Sequence, residues 1–188
     1  MVIVMDFPLL RNFEVSSTLI TFLNRKFEQC KKEEIERSVT PYPKNSFDER
    51  KGYQTQNILE WDDEEIKTFN DNELKKIVSD QLKLNESQIK YHYIHFLDYE
   101  KGGSMALHNH VHNEDFVLFI YLKDCDGGNT VFYLNNYDEV SMERTEVSLR
   151  PRNCGAAIFS ALVMHLGRPT EENKRIFVVG IKVNTQGC

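Results

Sequence analysis

The sequence predicts an all-β core, a jelly-roll or barrel-like double sheet, with N-terminal helices packed on one outer face, α+β overall. Two observations carry this. Up to Leu84 the apolar residues recur mainly at helical spacing, whereas from Gln88 onward they fall into short extended runs. Turn signals, Gly127-Gly128 and Pro151 to Gly155, separate those runs, with few helical stretches between them.

In chain order, Met1–Glu14 holds a short apolar run ending near Pro8 and reads as an edge strand. Ser16-Ser17-Thr18 offers a cap for a helix carrying Leu19, Ile20, Phe22, Leu23 and Phe27, running to about Lys32 or beyond. Residues 37–51 are polar, contain two prolines and read as a loop. Tyr53–Leu59 reads as a strand, and Asp62–Thr68 and Asn72–Leu84 as helices, with Leu74, Ile77, Val78 and Leu82 on one face. Extended segments follow at Ile89–Tyr99, Phe116–Leu122, Asn129–Leu134, Val140–Leu149, Ala156–Phe159 and Ile176–Val183. In the first of these, Ile89, Tyr91, Tyr93, His95, Leu97 and Tyr99 alternate and are expected to share a face.

A chain of 188 residues is expected to form one domain, with residues 1–88 a helical support and 89–183 the core. Its 23 basic and 29 acidic residues give a net charge of -6, which argues against nucleic acid or an anionic membrane as partner. No apolar run approaches a spanning helix, and Val2–Met5 lacks the flanks of a secretory signal. Cys30, Cys125, Cys154 and Cys188 form no CxxC pair, so a reducing, cytoplasmic setting is expected.

The chemistry-bearing stretch is Tyr99 to His112, YEKGGSMALHNHVH. His108, His110 and His112 stand at alternate positions with Glu114 next in register, so an extended backbone would point them to one face. Far downstream, His165 is followed ten residues later by Arg175. Imidazole nitrogen and carboxylate oxygen are the donors that suit divalent iron, and two histidines with one carboxylate leave coordination positions open.

Five segments in order resemble the core of the iron- and 2-oxoglutarate-dependent oxygenases, the prolyl 4-hydroxylase-like group in particular. Tyr99-Glu-Lys-Gly102-Gly103 leads into His108 as the family's Y-x-x-G leads into its first metal ligand, and Phe119-Ile-Tyr121-Leu122 resembles the strand whose Tyr contacts the co-substrate. Asp126-Gly-Gly-Asn-Thr130-Val-Phe132 resembles the GG-x-T-x-F segment. Val147-Ser-Leu-Arg-Pro151 with Gly155-Ala-Ala-Ile-Phe159 resembles V-x-P-x-x-G-x-A-L-x-F with one extra residue, and His165 with Arg175 resembles the last ligand and the co-substrate arginine. The N-terminal half matches no motif.

The resemblance implies a double-stranded β-helix over 89–183 and a dioxygenase that uses Fe(II), 2-oxoglutarate and O2, with ascorbate a further candidate. It would hydroxylate a C–H bond of a protein, peptide or small-molecule substrate. It implies His108, His110 and His165 as metal ligands and Tyr121 and Arg175 at the 2-oxoglutarate carboxylate, where a guanidinium forks onto two oxygens. The chain departs from the family at His110, which stands in the carboxylate slot. Glu114 or Asp115 could restore the carboxylate, or His112 and Glu114 could form the pair, so the second ligand stays open at this stage. Gly102, His108, His110 and Glu114 also resemble a cupin motif, which would give a four-ligand site with His165 and no use of 2-oxoglutarate. A third reading is a non-catalytic binding protein. The polar 37–51 loop and the 135–144 segment are candidate substrate-facing elements, while the substrate and the oligomeric state stay open.

Overall fold

The computed structural model describes residues 10–37, 52–111, 113–135 and 144–184. His112 and most of the 37–51 and 135–144 segments lie outside them.

Strand β1 (Leu10–Glu14) leads to helix α1 (Ser17–Arg37), where the Leu19 N–H donates to the Ser16 hydroxyl at 3.2 Å, the expected cap. Strand β2 is short, Gly52–Gln54. The strand expected to Leu59 stops there because Asn57 turns the chain. Its side-chain oxygen accepts from the N–H of Leu59, starting a 3-10 turn at Ile58–Glu60, and from the N–H of Ile94 at 3.0 Å.

Two helices were expected between 62 and 84, and the structure joins them. Helix α2 (Glu64–Phe69), capped by Asp63, runs through a π-helical turn (Asn70–Leu74) into α3 (Lys75–Leu82). No Gly or Pro interrupts this stretch, so the backbone widens instead of breaking. The Asn70 carbonyl of the widened turn accepts the Tyr91 hydroxyl at 3.1 Å.

The strands that follow are β3 (Ile89–Tyr99), β4 (Met105–His108), β5 (Phe116–Tyr121), β6 (Thr130–Asn135), β7 (Arg144–Leu149), β8 (Gly155–Ser160), β9 (Met164–Gly167) and β10 (Lys174–Val183). A six-stranded antiparallel sheet has the order β1-β8-β5-β10-β3-β2, with β1 at the edge, and a four-stranded one the order β4-β9-β6-β7. This is the expected double sheet. Strand β9 was not expected, since four residues carry too little pattern.

The larger sheet has two apolar faces. Toward the helices it presents Phe96, Leu118, Ile120, Ile158, Phe177 and Val179, packed with Leu19, Leu23, Phe27, Phe69, Leu74 and Val78. Phe96 meets Phe27 and Phe177 with ring centroids 5.6 and 5.2 Å apart. Each such side chain contributes roughly 1.5–3 kcal/mol when fully buried. Toward the smaller sheet it presents Val117, Phe119, Tyr121, Ala157, Phe159 and Ile176, packed with Phe132 and Val163.

The shared face expected along β3 is broken. Between Gly180↔Tyr93 and Ile181↔Tyr91 the β10–β3 register shifts, leaving His92 as an extra residue on β3. The bulge reverses the alternation. Ile89 and Tyr91 therefore pack with the helices, while Tyr93, His95, Leu97 and Tyr99 line a cavity between the sheets. Gly180 makes room for this. A Cβ there would sit 2.5 Å from the Tyr93 ring, which stacks on His95 with centroids 5.1 Å apart.

Gly180→Ala is expected to lower stability by about 1–3 kcal/mol in urea denaturation, the range of an overpacked site. Adding Tyr93→Ala should recover most of that loss. A Gly180→Ala protein as stable as the wild type would mean that the ring does not occupy this space.

Candidate metal centre and adjoining cavity

His108 ends β4 directly opposite His165 on β9. His110 follows β4 and is tied to the other side of the site by its N–H, which donates to the Ala161 carbonyl at 2.9 Å. One ligand atom from each of the three lies within 4.8 Å of the others. Ring centroids are 4.2 Å apart for His108–His165, 5.0 Å for His108–His110 and 5.3 Å for His110–His165.

The tautomers are fixed from outside. Nδ1 of His108 lies 2.8 Å from the Ala106 carbonyl and Nδ1 of His165 3.1 Å from that of Val163. A carbonyl only accepts, so Nδ1 carries the proton in both, and Nε2 is the donor each ring would give to a metal. His165 sits among Phe132 and Phe159. Burial, reinforced by His108 and then by His110, pushes its pKa down to about 3, so it is a neutral imidazole at physiological pH. Metal–nitrogen bonds are about 2 Å, so modest ring rotation would bring the three donors onto one ion. An all-imidazole set suits iron, zinc, copper or nickel and brings no anionic charge.

Glu114 is not part of this group. Its side chain is buried behind His110, with Oε2 3.6 Å from His110 Nδ1 and Oε1 3.8 Å from His92 Nε2. The four-ligand cupin set loses its carboxylate for this reason.

The cavity beside the histidines has a volume of about 260 Å³. Its walls include Val117, Phe119, Phe159 and Ile176, and its polar lining includes Gln54, Tyr93, His95, Tyr99, Thr130 and Lys174. Arg175 does not reach it. On β10, Lys174, Ile176 and Val178 face the cavity, which sends Arg175 to the helix side with Phe177 and Val179. There its guanidinium lies 3.7 Å over the Phe27 ring, donates to the Asn24 side chain at 3.1 Å and pairs with Glu28 at 3.0 Å. The expectation that Arg175 lines the co-substrate pocket is therefore corrected by one residue. A strand reverses face at every step, so a neighbour in sequence is on the opposite side of the sheet.

Lys174, which the sequence reading missed, is buried. Its ammonium donates to the Gly128 carbonyl at 2.8 Å and lies 4.7 Å over the Tyr99 ring. Burial pushes its pKa down to about 8. Gly127 and Gly128 both take positive φ, 68° and 64°, which a side chain would resist, and that turn carries the carbonyl that Lys174 meets. Tyr121 faces inward but stands one step behind the cavity wall. Its hydroxyl donates to Thr130 Oγ1 at 2.7 Å, and burial pushes the phenol pKa up.

The face assignment has a measurable consequence. Arg175→Met should cost roughly 1–3 kcal/mol of stability, as a partly buried cation–π and ion-pair anchor of α1 is lost. Lys174→Met exchanges a buried ammonium for an apolar chain and should leave stability unchanged or raise it. Urea midpoints in the reverse order would refute the assignment.

No protein-family model and no curated protein matches the chain. Solved structures do. A prolyl-4-hydroxylase of Pseudomonas putida superposes with a TM-score of 0.64 at 15% identity, covering 95% of this chain and 94% of that one. The viral collagen prolyl hydroxylase of Paramecium bursaria Chlorella virus 1, as a 2OG complex, gives 0.61 at 13% identity over 97% and 99%. HygX of Streptomyces hygroscopicus, with nickel, 2-oxoglutarate and hygromycin B bound, gives 0.65 at 12% identity over 96% and 85%. The chain thus has the fold of the 2-oxoglutarate- and Fe(II)-dependent oxygenases, in its prolyl 4-hydroxylase-like form.

Proposed function

We propose that this chain is an Fe(II)- and 2-oxoglutarate-dependent dioxygenase that hydroxylates a C–H bond of a protein, peptide or small-molecule substrate. One observation carries the reading. A single cavity is lined by three imidazoles able to share a metal and, among its described residues, by one buried cation, Lys174. A dicarboxylate that chelates a metal through one end and needs a countercharge at the other matches both. The fold shared with oxygenases supports the reading, as do the 2-oxoglutarate and nickel bound in HygX.

His108, His110 and His165 would hold the iron. When bound, iron supplies the activation of dioxygen that couples decarboxylation of 2-oxoglutarate to succinate with oxidation of a substrate C–H bond. The protein's own part is placement. Lys174 offers its remaining N–H donors to the distal carboxylate. The Thr130 hydroxyl accepts from Tyr121, which leaves its own proton to donate. Tyr121 thus acts on the co-substrate through Thr130. Val117, Phe119, Phe159 and Ile176 exclude water around these contacts. No described helix is long and apolar enough to cross a membrane.

In anaerobic titrations with iron or a redox-inert substitute, Lys174→Met should weaken 2-oxoglutarate binding by tenfold or more, and Arg175→Met by less than twofold. The pH dependence follows from Lys174. With burial holding its pKa near 8, its ammonium is present below that pH and lost above it. Affinity should therefore hold below pH 8 and fall by up to about tenfold per pH unit above it. The deciding assay is oxygen-dependent conversion of 2-oxoglutarate to succinate by iron-loaded protein, with and without candidate substrates. Metal-loaded protein that binds no 2-oxoglutarate would overturn the proposal.

A further inference from the structure

Three imidazoles leave a divalent metal with its full positive charge, whereas a set with one carboxylate would halve it. Just outside the imidazoles the structure buries a carboxylate. We propose that Glu114 supplies the missing anionic charge through His110, so that the His110–Glu114 pair does the work of a single inner carboxylate. This rests on the metal-binding reading above and assigns Glu114 as a positioning residue for the centre.

The backbone builds the pair. The His110 carbonyl accepts from the N–H groups of Asn113 and Glu114, at 3.3 and 3.4 Å, and the Glu114 carboxylate comes back toward Nδ1 of His110. The side chain of Glu114 is only 4% exposed, and Oε2 stands 3.6 Å from His110 Nδ1, slightly beyond hydrogen-bond length. A small rotation closes that gap. The Tyr93 hydroxyl, 3.4 Å from the same nitrogen, can accept as well as donate, whereas an ionised carboxylate only accepts; with Glu114 beside it Nδ1 keeps its proton, and Nε2 is the donor left for the metal. A carboxylate that accepts the outer proton of a metal-bound imidazole fixes its tautomer and raises its basicity.

The other charges around Glu114 fit this role. Burial is the largest influence on the Glu114 carboxyl and disfavours its charge; His92, 3.8 Å from Oε1, and then Lys182 favour the charge, and Asp115 disfavours it. His92 is about half exposed and Lys182 is exposed, so neither fully compensates the burial of a carboxylate. The partner that does so is an imidazole carrying metal charge. Family-type spacing places a carboxylate at 110; here a histidine stands there with an acid one helical turn later. The exchange keeps the charge and moves it outward by the length of one ring.

The test uses Co(II), whose visible absorption reports its ligand field, on the full chain. Wild type, Glu114→Gln, His110→Asp and the double variant form a cycle. Glu114→Gln keeps the size and an acceptor but removes the charge. It should weaken Co(II) binding by roughly 10–100-fold and shift the visible bands. In the His110→Asp background, where the charge sits on the metal directly, the same change should alter affinity by less than twofold. A Glu114→Gln protein that binds Co(II) within twofold of wild type with unchanged bands overturns the inference. So does an equal loss in both backgrounds, which marks a purely structural carboxylate. Wild-type protein that binds no Co(II) instead removes the metal-binding reading itself, and this inference with it.

Discussion

Strand β10 runs through the middle of the six-stranded sheet, between β5 and β3, and its two-residue alternation divides the molecule. One set of side chains, Lys174, Ile176 and Val178, enters the cavity. The other, Arg175, Phe177, Val179 and Ile181, meets the helical layer. Helix packing and site chemistry thus share one strand. The tighter the helices hold Phe177 and Val179, the more firmly the ammonium of Lys174 is set on the opposite face. The same alternation, reversed by the bulge at His92, turns Tyr93 inward beside His110.

Electrostatics in the cavity follow from that burial. Out of water, His165 stays neutral and so keeps a lone pair available, and Lys174 is held against the Gly128 carbonyl and the face of Tyr99. Both arrangements cost stability. A methionine would pack the Lys174 position at least as well. Charged and polar groups kept in an apolar cavity at such a cost support the binding role proposed for it. Arg175 is the contrast. It is equally cationic, but its partners Asn24, Glu28, Phe27 and Asp98 belong to α1 and β3, and its work is to fasten the helix to the sheet.

Much of this was legible. The change from helical to extended patterning near residue 88 located the double sheet, and the capping serine located α1. The spacing of His108 and His110 in an extended segment, with His165 downstream, pointed to a three-residue cluster that the fold does assemble. The resemblance put Tyr121 at the co-substrate carboxylate; the structure turns it inward, with its hydroxyl on Thr130 and not in the cavity. The join of α2 to α3 through a π turn was not visible, because nothing in Phe69-Asn-Asp-Asn72 distinguishes a widened turn from a loop.

The sequence by itself determined the kind of fold, because that depends on local spacing along the chain; through its family resemblance it put forward the three imidazoles while leaving the second ligand open between His110 and Glu114. It could not determine which of two adjacent cations faces the cavity. KRIFVVGIKV is apolar on both faces, since one packs on helices and the other on a second sheet, so no hydrophobic alternation reveals its parity. Nor could it show that His110 is backed by Glu114, which depends on a turn and on the distance between side chains. Only the tertiary structure decided these. Pairing β10 to β3 across a bulge and β4 to β9 at His108↔His165 sets which side of each sheet every residue occupies.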